Sequence, residues 1–166
     1  MRSNRDSPRH DDACRAIADG IAAAHPRRVI DDTVSLAGDS LRVGDARYNL
    51  GEYDQILVLG GGNAAGTAAA ALETVLGDRI DDGIVVTDDP VETETVEVVE
   101  GTHPLPSDAN VRGTEQLLAR ARAAGARTLA VVVLTGGGSA LLANPAAGID
   151  LDSSRELTDD LVTCGA

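Results

Sequence analysis

The chain has 166 residues and a formal net charge of −13, from 27 acidic against 14 basic residues. That length suits one domain with a real core, and with 1% aromatic residues and no Phe or Trp the core must be built from Val, Ile, Leu and Ala. The charge repels phosphate backbones and anionic membranes, and the scarcity of aromatics removes the platforms on which bases stack, so neither nucleic acid nor a membrane is an expected partner.

In chain order, residues 1 to 11 are polar and read as a loose lead-in; MRSNRDSPRHDD has no apolar stretch of the kind a signal peptide carries. DDACRAIADGIAAA follows with acids at its start and helical apolar spacing. From His25 to Tyr53 short apolar pieces are separated by GD turns, as in VSLAGDSLRVGDARYNL, which predicts one or two short strands. The pattern then becomes regular: strand ILVLG, helix from Asn63 to Leu76, strands GIVVT and TVEVVE, helix from Asp108 to Ala124, and strand TLAVVVL. Continuous apolar runs in ILVL, IVV and LAVVVL are those of strands buried on both faces. Ala64, Ala68, Leu72 and Leu76 make one helical stripe; Val111, Thr114, Leu118 and Ala121 make another. Gly125 stands where a left-handed helix end is expected. Alternating strands and helices indicate an α/β fold with a parallel sheet. A short helix stopped by Pro145 comes next, then a last helix opened by Ser153 and Glu156 as a capping box, with Leu157, Leu161 and Cys164 on its apolar side.

All 14 basic residues are arginine. An acid surplus without lysine points to a protein adapted to concentrated salt, where a Debye length of roughly 3 Å screens self-repulsion. The alternative is an ordinary acidic protein from a GC-rich genome. Cys14 and Cys164 lie near opposite ends with no second ligand at metal spacing, and are read as free thiols. No stretch approaches 18 continuous apolar residues, and the expected location is the cytoplasm.

Chemistry concentrates at two glycine turns. In QILVLGGGNAAG a strand runs into three glycines and straight into a helix, where unpaired backbone N–H groups and the helix dipole favour an anion. Gly60, Gly62 and Ala65 also fit the dinucleotide pattern G-x-G-x-x-A, with Asp88 after the next strand as a ribose ligand; the alternative is tight packing by small residues. TLAVVVLTGGGSALL repeats the arrangement, with Ser139 opening the helix. In a parallel sheet both turns leave from the same edge, which suggests a small, multiply charged ligand. Between them, EGTHPLPSDAN holds His103 ahead of two prolines, with Ser107 or Asp108 capping the next helix, so that His103 either enters the cleft or hydrogen-bonds its own turn. A Walker A loop is excluded, because its lysine does not exist in this chain.

GGGNAAG, THPLPS and TGGGSALLANP, in this order and at these intervals, resemble the N-terminal part of the glycerate 2-kinase family, whose members carry a C-terminal MOFRL domain; the resemblance runs from about Asp11 to the end of the chain. It implies a Rossmann-like α/β domain, a parallel sheet with flanking helices, that is incomplete relative to the family. Residues 1–11 would be the loose segment and 12–166 the N-terminal part of that domain, with the MOFRL domain absent. With the acidic, lysine-free composition, a halophilic archaeon is the expected source. The implied reaction is transfer of a phosphoryl group from ATP, with Mg²⁺, to the 2-hydroxyl of D-glycerate. Asn63 and His103 would be catalytic, and Gly61, Gly62, Asn63, Gly136, Gly137, Gly138 and Ser139 would bind substrate; no metal ligand is assigned. Asn63 stands where the family commonly has a lysine regarded as catalytic. A missing C-terminal region or a partner chain is expected to complete the site. The alternatives are an NAD(P)-dependent hydroxypyruvate reductase, a name some members carry, and a non-catalytic remnant.

Overall fold

The computed structural model describes residues 8–164, and its first two helices each open on a proline, whose fixed φ suits a first helical turn. These are α1 (Pro8–Ala23) and α2 (Pro26–Thr33). α1 thus begins ahead of Asp11, and residues 1–7 of the expected loose segment lie outside the described residues. α2 is a correction: PRRVIDDT is too polar to signal a helix by periodicity, and only Ile30 joins it to the core.

Three strands follow where one or two were expected. β1 (Val34–Ala37), β2 (Ser40–Val43) and β3 (Ala46–Asn49) form an antiparallel meander with Leu36 opposite Leu41 and Val43 opposite Ala46. Gly38 and Gly44 open its two turns at φ 60° and 56°, and among the described residues no non-glycine residue has positive φ. That combination matches type II′ hairpins, whose twist agrees with that of the strands.

The remaining elements are β4 (Gln55–Gly61), α3 (Ala65–Leu76), β5 (Asp82–Thr87), β6 (Val96–Glu100), α4 (Asp108–Ala123), β7 (Thr128–Leu134), α5 (Gly138–Leu141) and α6 (Leu151–Thr163). Their four strands are all parallel, in the order β6-β5-β4-β7, with Leu59 beside both Ile84 and Val132. The chain builds outward from β4 to β6, then α4 carries it back to β7 on the far side of β4. The order therefore reverses between β4 and β7, and in such sheets the carboxyl ends of those two strands open a ligand crevice.

Each face of the sheet has its own core. On one, Ala65, Ala69, Leu72 and Leu76 of α3 pack with Val58, Val85 and, from the meander, Val34 and Leu41. On the other, Leu117 and Ala124 cover Leu57, Leu59 and Ile84. No helix links β5 to β6. Instead Glu73 of α3 accepts the backbone N–H groups of Glu94, Thr95 and Val96 at 2.8, 2.7 and 2.8 Å. Partial burial opposes ionisation of Glu73, but these three donors outweigh it and hold its pKa below the usual glutamate value.

Three expectations fail for local reasons. β7 is an edge strand whose Leu129, Val131 and Val133 face the core, while Val132 and Leu134 are 59% and 69% exposed, so its apolar run is covered on one face only. α4 ends on Ala124 in an extended conformation, and Gly125 does not take the left-handed one. α6 is capped by Asp150, which accepts the Ser153 N–H at 2.8 Å, three residues before the expected cap Ser153. Leu157 and Leu161 on α6 are exposed, as are the free thiols Cys14 and Cys164. Among the described residues no helix is long and apolar enough to cross a membrane.

Candidate functional site

The two glycine turns flank the reversal point, and the structure gives them different duties. After β4, a methyl group at Gly60 would overlap the Val133 carbonyl oxygen, one at Gly61 would press to 2.6 Å of Leu142, and one at Gly62, where φ is 130°, would overlap Thr135 Oγ1. These glycines let β4 meet the segment from Val133 to Leu142. The donors expected here for an anion are committed: Gly62 N–H to Val86 O (3.0 Å), Asn63 N–H to Gly136 O (2.8 Å), Ala64 N–H to Thr135 Oγ1 (3.2 Å) and Ala65 N–H to Gly62 O (3.0 Å). Tight packing, the alternative weighed for this turn, accounts for its first three glycines.

The second turn differs. Gly138 N–H donates to Thr135 O, but the N–H groups of Gly136, Gly137 and Ser139 donate to no acceptor among the described residues. Gly137 is left-handed at φ 80°. Unengaged backbone donors next to a left-handed residue are a chemistry that suits an anion.

Asn63 and His103 reach this turn from the other two segments. A methyl group on Gly137 would overlap Asn63 Oδ1 and lie 3.1 Å from His103 Cδ2, so the Asn63 amide, the His103 ring and the Gly137 backbone meet at one point. The other side of the amide is fixed as well, because Asn63 Nδ2 donates to Asp88 Oδ2 at 2.9 Å. Asp88, offered by the sequence as a ribose ligand, is thus the partner of Asn63. Below them the buried Thr87 donates its hydroxyl to Asn63 O at 3.0 Å and accepts the Asp89 N–H at 3.2 Å. His103 is exposed and joined to Pro104 by a cis peptide.

Sequence reasoning missed Thr87 and Thr135, whose hydroxyls sit at the strand ends and fix the first turn. A threonine closing an apolar strand immediately before the loops was the available signal in GIVVT and VVVLT. It also missed Asn110, three residues after the helix cap Ser107, where a side chain reaches back to the cap N–H at 3.1 Å.

The electrostatics of the cleft are uncompensated. Asp88 sits against Asn63, and no arginine is paired with Asn63, His103, Asp88 or the second turn among the described residues. Among the described residues there is no group of three or more His, Cys, Asp or Glu placed to hold a metal ion. The arrangement can hold an anion by neutral donors and offers a histidine beside it. His103, Asp88, Gly136 and Ser139 are exposed, and Asn63 and Gly137 are partly buried.

Residues 12–166 match the family described as a domain of unknown function, DUF4147. A protein of Agrobacterium vitis provisionally named hydroxypyruvate reductase is 30% identical over 171 residues, covering 100% of this chain and 38% of its own. A glycerate 2-kinase of Pyrococcus horikoshii is 29% identical over 154 residues, covering 92% of this chain and 34% of its own. The crystal structure of glycerate kinase from Thermotoga maritima superposes with a TM-score of 0.71 at 26% identity, over 93% of this chain and 34% of that one. The chain therefore spans little more than a third of the length of the curated relatives it matches.

Proposed function

Because the chain belongs to the DUF4147 family, we propose that it forms the substrate-side wall of a glycerate 2-kinase, with the second glycine turn as its anion seat. The observation that carries this reading is the set of unengaged N–H groups at Gly136, Gly137 and Ser139, in contact with His103 and Asn63. They would take the carboxylate of D-glycerate or the phosphoryl group in transfer. In the reaction, the 2-hydroxyl oxygen bonds to the γ-phosphorus of ATP, its proton passes to a ring nitrogen of His103, and the bond to the β,γ-bridging oxygen breaks to release ADP. General base catalysis of this kind requires the ring within hydrogen-bond reach of the hydroxyl, which its place beside Gly137 permits.

Phosphoryl transfer depends mainly on positioning and on charge that neutralises the transferring group. Asn63 supplies an amide and no charge, so the cation comes from elsewhere than the described residues. The expected setting is the cytoplasm of a salt-adapted cell, with the active site completed by polypeptide equivalent to the rest of the relatives or by a partner chain.

The hydroxypyruvate reductase name of the Agrobacterium relative supplies a second reading. It needs a nicotinamide dinucleotide, whose pyrophosphate would sit on the first turn, and the donors of that turn are already used within the protein. The kinase reading is therefore preferred. The test is a titration of the ¹⁵N-labelled chain with D-glycerate in concentrated KCl. Amide shifts confined to Gly136, Gly137, Ser139 and His103 are expected. A folded sample giving no such shifts with glycerate or inorganic phosphate would refute the assignment and favour a remnant without chemistry, and an NADH fluorescence change on adding protein would favour the reductase.

A further inference from the structure

We infer that Asn110 is the positioning residue that sets the distance between His103 and the anion-binding turn. The inference takes from the proposed function only that these two segments share a site. Asn110 is fully buried at 0% exposure, an unusual place for an amide side chain. Its Oδ1 accepts from Thr102 N–H at 2.8 Å, Ser107 N–H at 3.1 Å and Ser107 Oγ at 2.6 Å. Its Nδ2 donates to Thr102 O at 2.9 Å and to Ala140 O at 3.0 Å. The two Nδ2 protons are then both used, and backbone groups that can only donate or only accept fix which end of the amide is which.

The partners of this one side chain belong to two segments. Thr102 and Ser107 bracket the loop that carries His103 and Pro104. Ala140 belongs to α5, one residue past Ser139, the last of the free donors. Thr102 Oγ1 further closes the loop on Leu105 O at 2.6 Å, and Gly101 leaves the room Asn110 needs, since a methyl group there would stand 2.9 Å from Oδ1. The one bond that crosses between the segments is Nδ2 to Ala140 O. Aspartate at this position keeps the size and the acceptor but turns the donor into an oxygen facing two carbonyls. Burial in that setting raises a carboxyl pKa, so the substituted protein regains a donor only as it is protonated.

The experiment has a ligand-free arm and a ligand arm. In the wild-type chain the Asn110 side-chain protons should exchange slowly with water, and a nuclear Overhauser contact should join the His103 ring to Gly137. In a folded Asn110→Asp chain that contact should be lost at pH 8 and recover as the pH is lowered through the new carboxyl's range, and D-glycerate affinity should fall by about tenfold at pH 8, the equivalent of one buried hydrogen bond. Rapid exchange of the wild-type side-chain protons overturns the inference without any variant, as does a His103–Gly137 contact that survives Asn110→Asp at pH 8. If glycerate shifts no amide in the wild type, the proposed function fails while the ligand-free arm still decides the role of Asn110.

Discussion

Two adjacent glycines of the second turn should respond in opposite directions to the same substitution. At Gly137, alanine must adopt φ 80°, and its methyl group must displace Asn63 Oδ1. The left-handed backbone costs about 1–2 kcal/mol for an alanine. Moving the amide also gives up its hydrogen bond to Asp88, which at this exposed position is worth about 0.5–1 kcal/mol. Together Gly137→Ala should lose about 2 kcal/mol, a fall in Tm of about 4–8 °C for a chain of this size. At Gly136 the φ is not positive and nothing lies within 4 Å of the added carbon. There the main effect is on the unfolded chain, so Gly136→Ala should be neutral or gain up to about 1 kcal/mol. Urea unfolding of the three proteins at one high KCl concentration measures both values. Equal stabilities for the two variants would refute the geometry of the turn, because nothing but that geometry distinguishes the two sites.

The Glu73 clamp makes a pH prediction. Its folded pKa is lowered, so its contribution is present above the unfolded value near 4.3 and is lost as pH falls through the folded value. Glu73→Gln, which keeps one acceptor oxygen, should cost about 1 kcal/mol at pH 7 and flatten the stability loss below pH 4, read by urea midpoints across pH. Asn63→Lys places a cation within reach of Asp88 and the free amides. A unit charge about 4 Å away in water is worth about 1 kcal/mol, so inorganic phosphate should bind about fivefold tighter by calorimetry, with the gain shrinking in salt. An unchanged affinity at low salt would remove residue 63 from the site. Circular dichroism should show secondary structure growing as KCl is raised, given the net charge of −13; a fully folded chain without salt would count against adaptation to brine.

The parallel sheet was legible because β4 and β5 carry unbroken apolar runs that alternate with α3 and α4, although α4 turns Asn110, Gly113, Thr114 and Leu117 inward and leaves the expected Ala121 exposed. The same rule misread β7. A continuous apolar run reports what a strand can bury, whereas Val132 and Leu134 on the outer face of this edge strand remain largely exposed among the described residues. α2 was invisible for the converse reason. Its eight residues bury none of their own side chains, so only Pro26 at the first helical position marked it. At the end of the chain, Asp150 and Ser153 are both good caps, and local preference alone cannot choose between caps three residues apart.

For the site, the three motifs were found and the convergence of the two glycine turns was anticipated, since parallel strands must deliver GGGNAAG and TGGGSALL to one edge, whereas spacing alone left open whether His103 enters the cleft. What the sequence could not distinguish was the division of labour between two almost identical turns. That follows from how the strands lie side by side: pairing Gly61 with Leu134 carries the first turn into contact with Thr135 and Gly136, whose oxygens accept the Ala64 and Asn63 N–H groups, while the second turn lies beyond the last pair with the N–H groups of Gly136, Gly137 and Ser139 unengaged among the described residues. A glycine triplet at the end of a parallel strand therefore has two roles open to it, close packing or anion binding. The neighbouring strand's last residues decide between them. Here Val133, Thr135 and Leu142 leave no room for side chains at the first triplet, while the N–H groups of Gly136, Gly137 and Ser139 stay unengaged among the described residues.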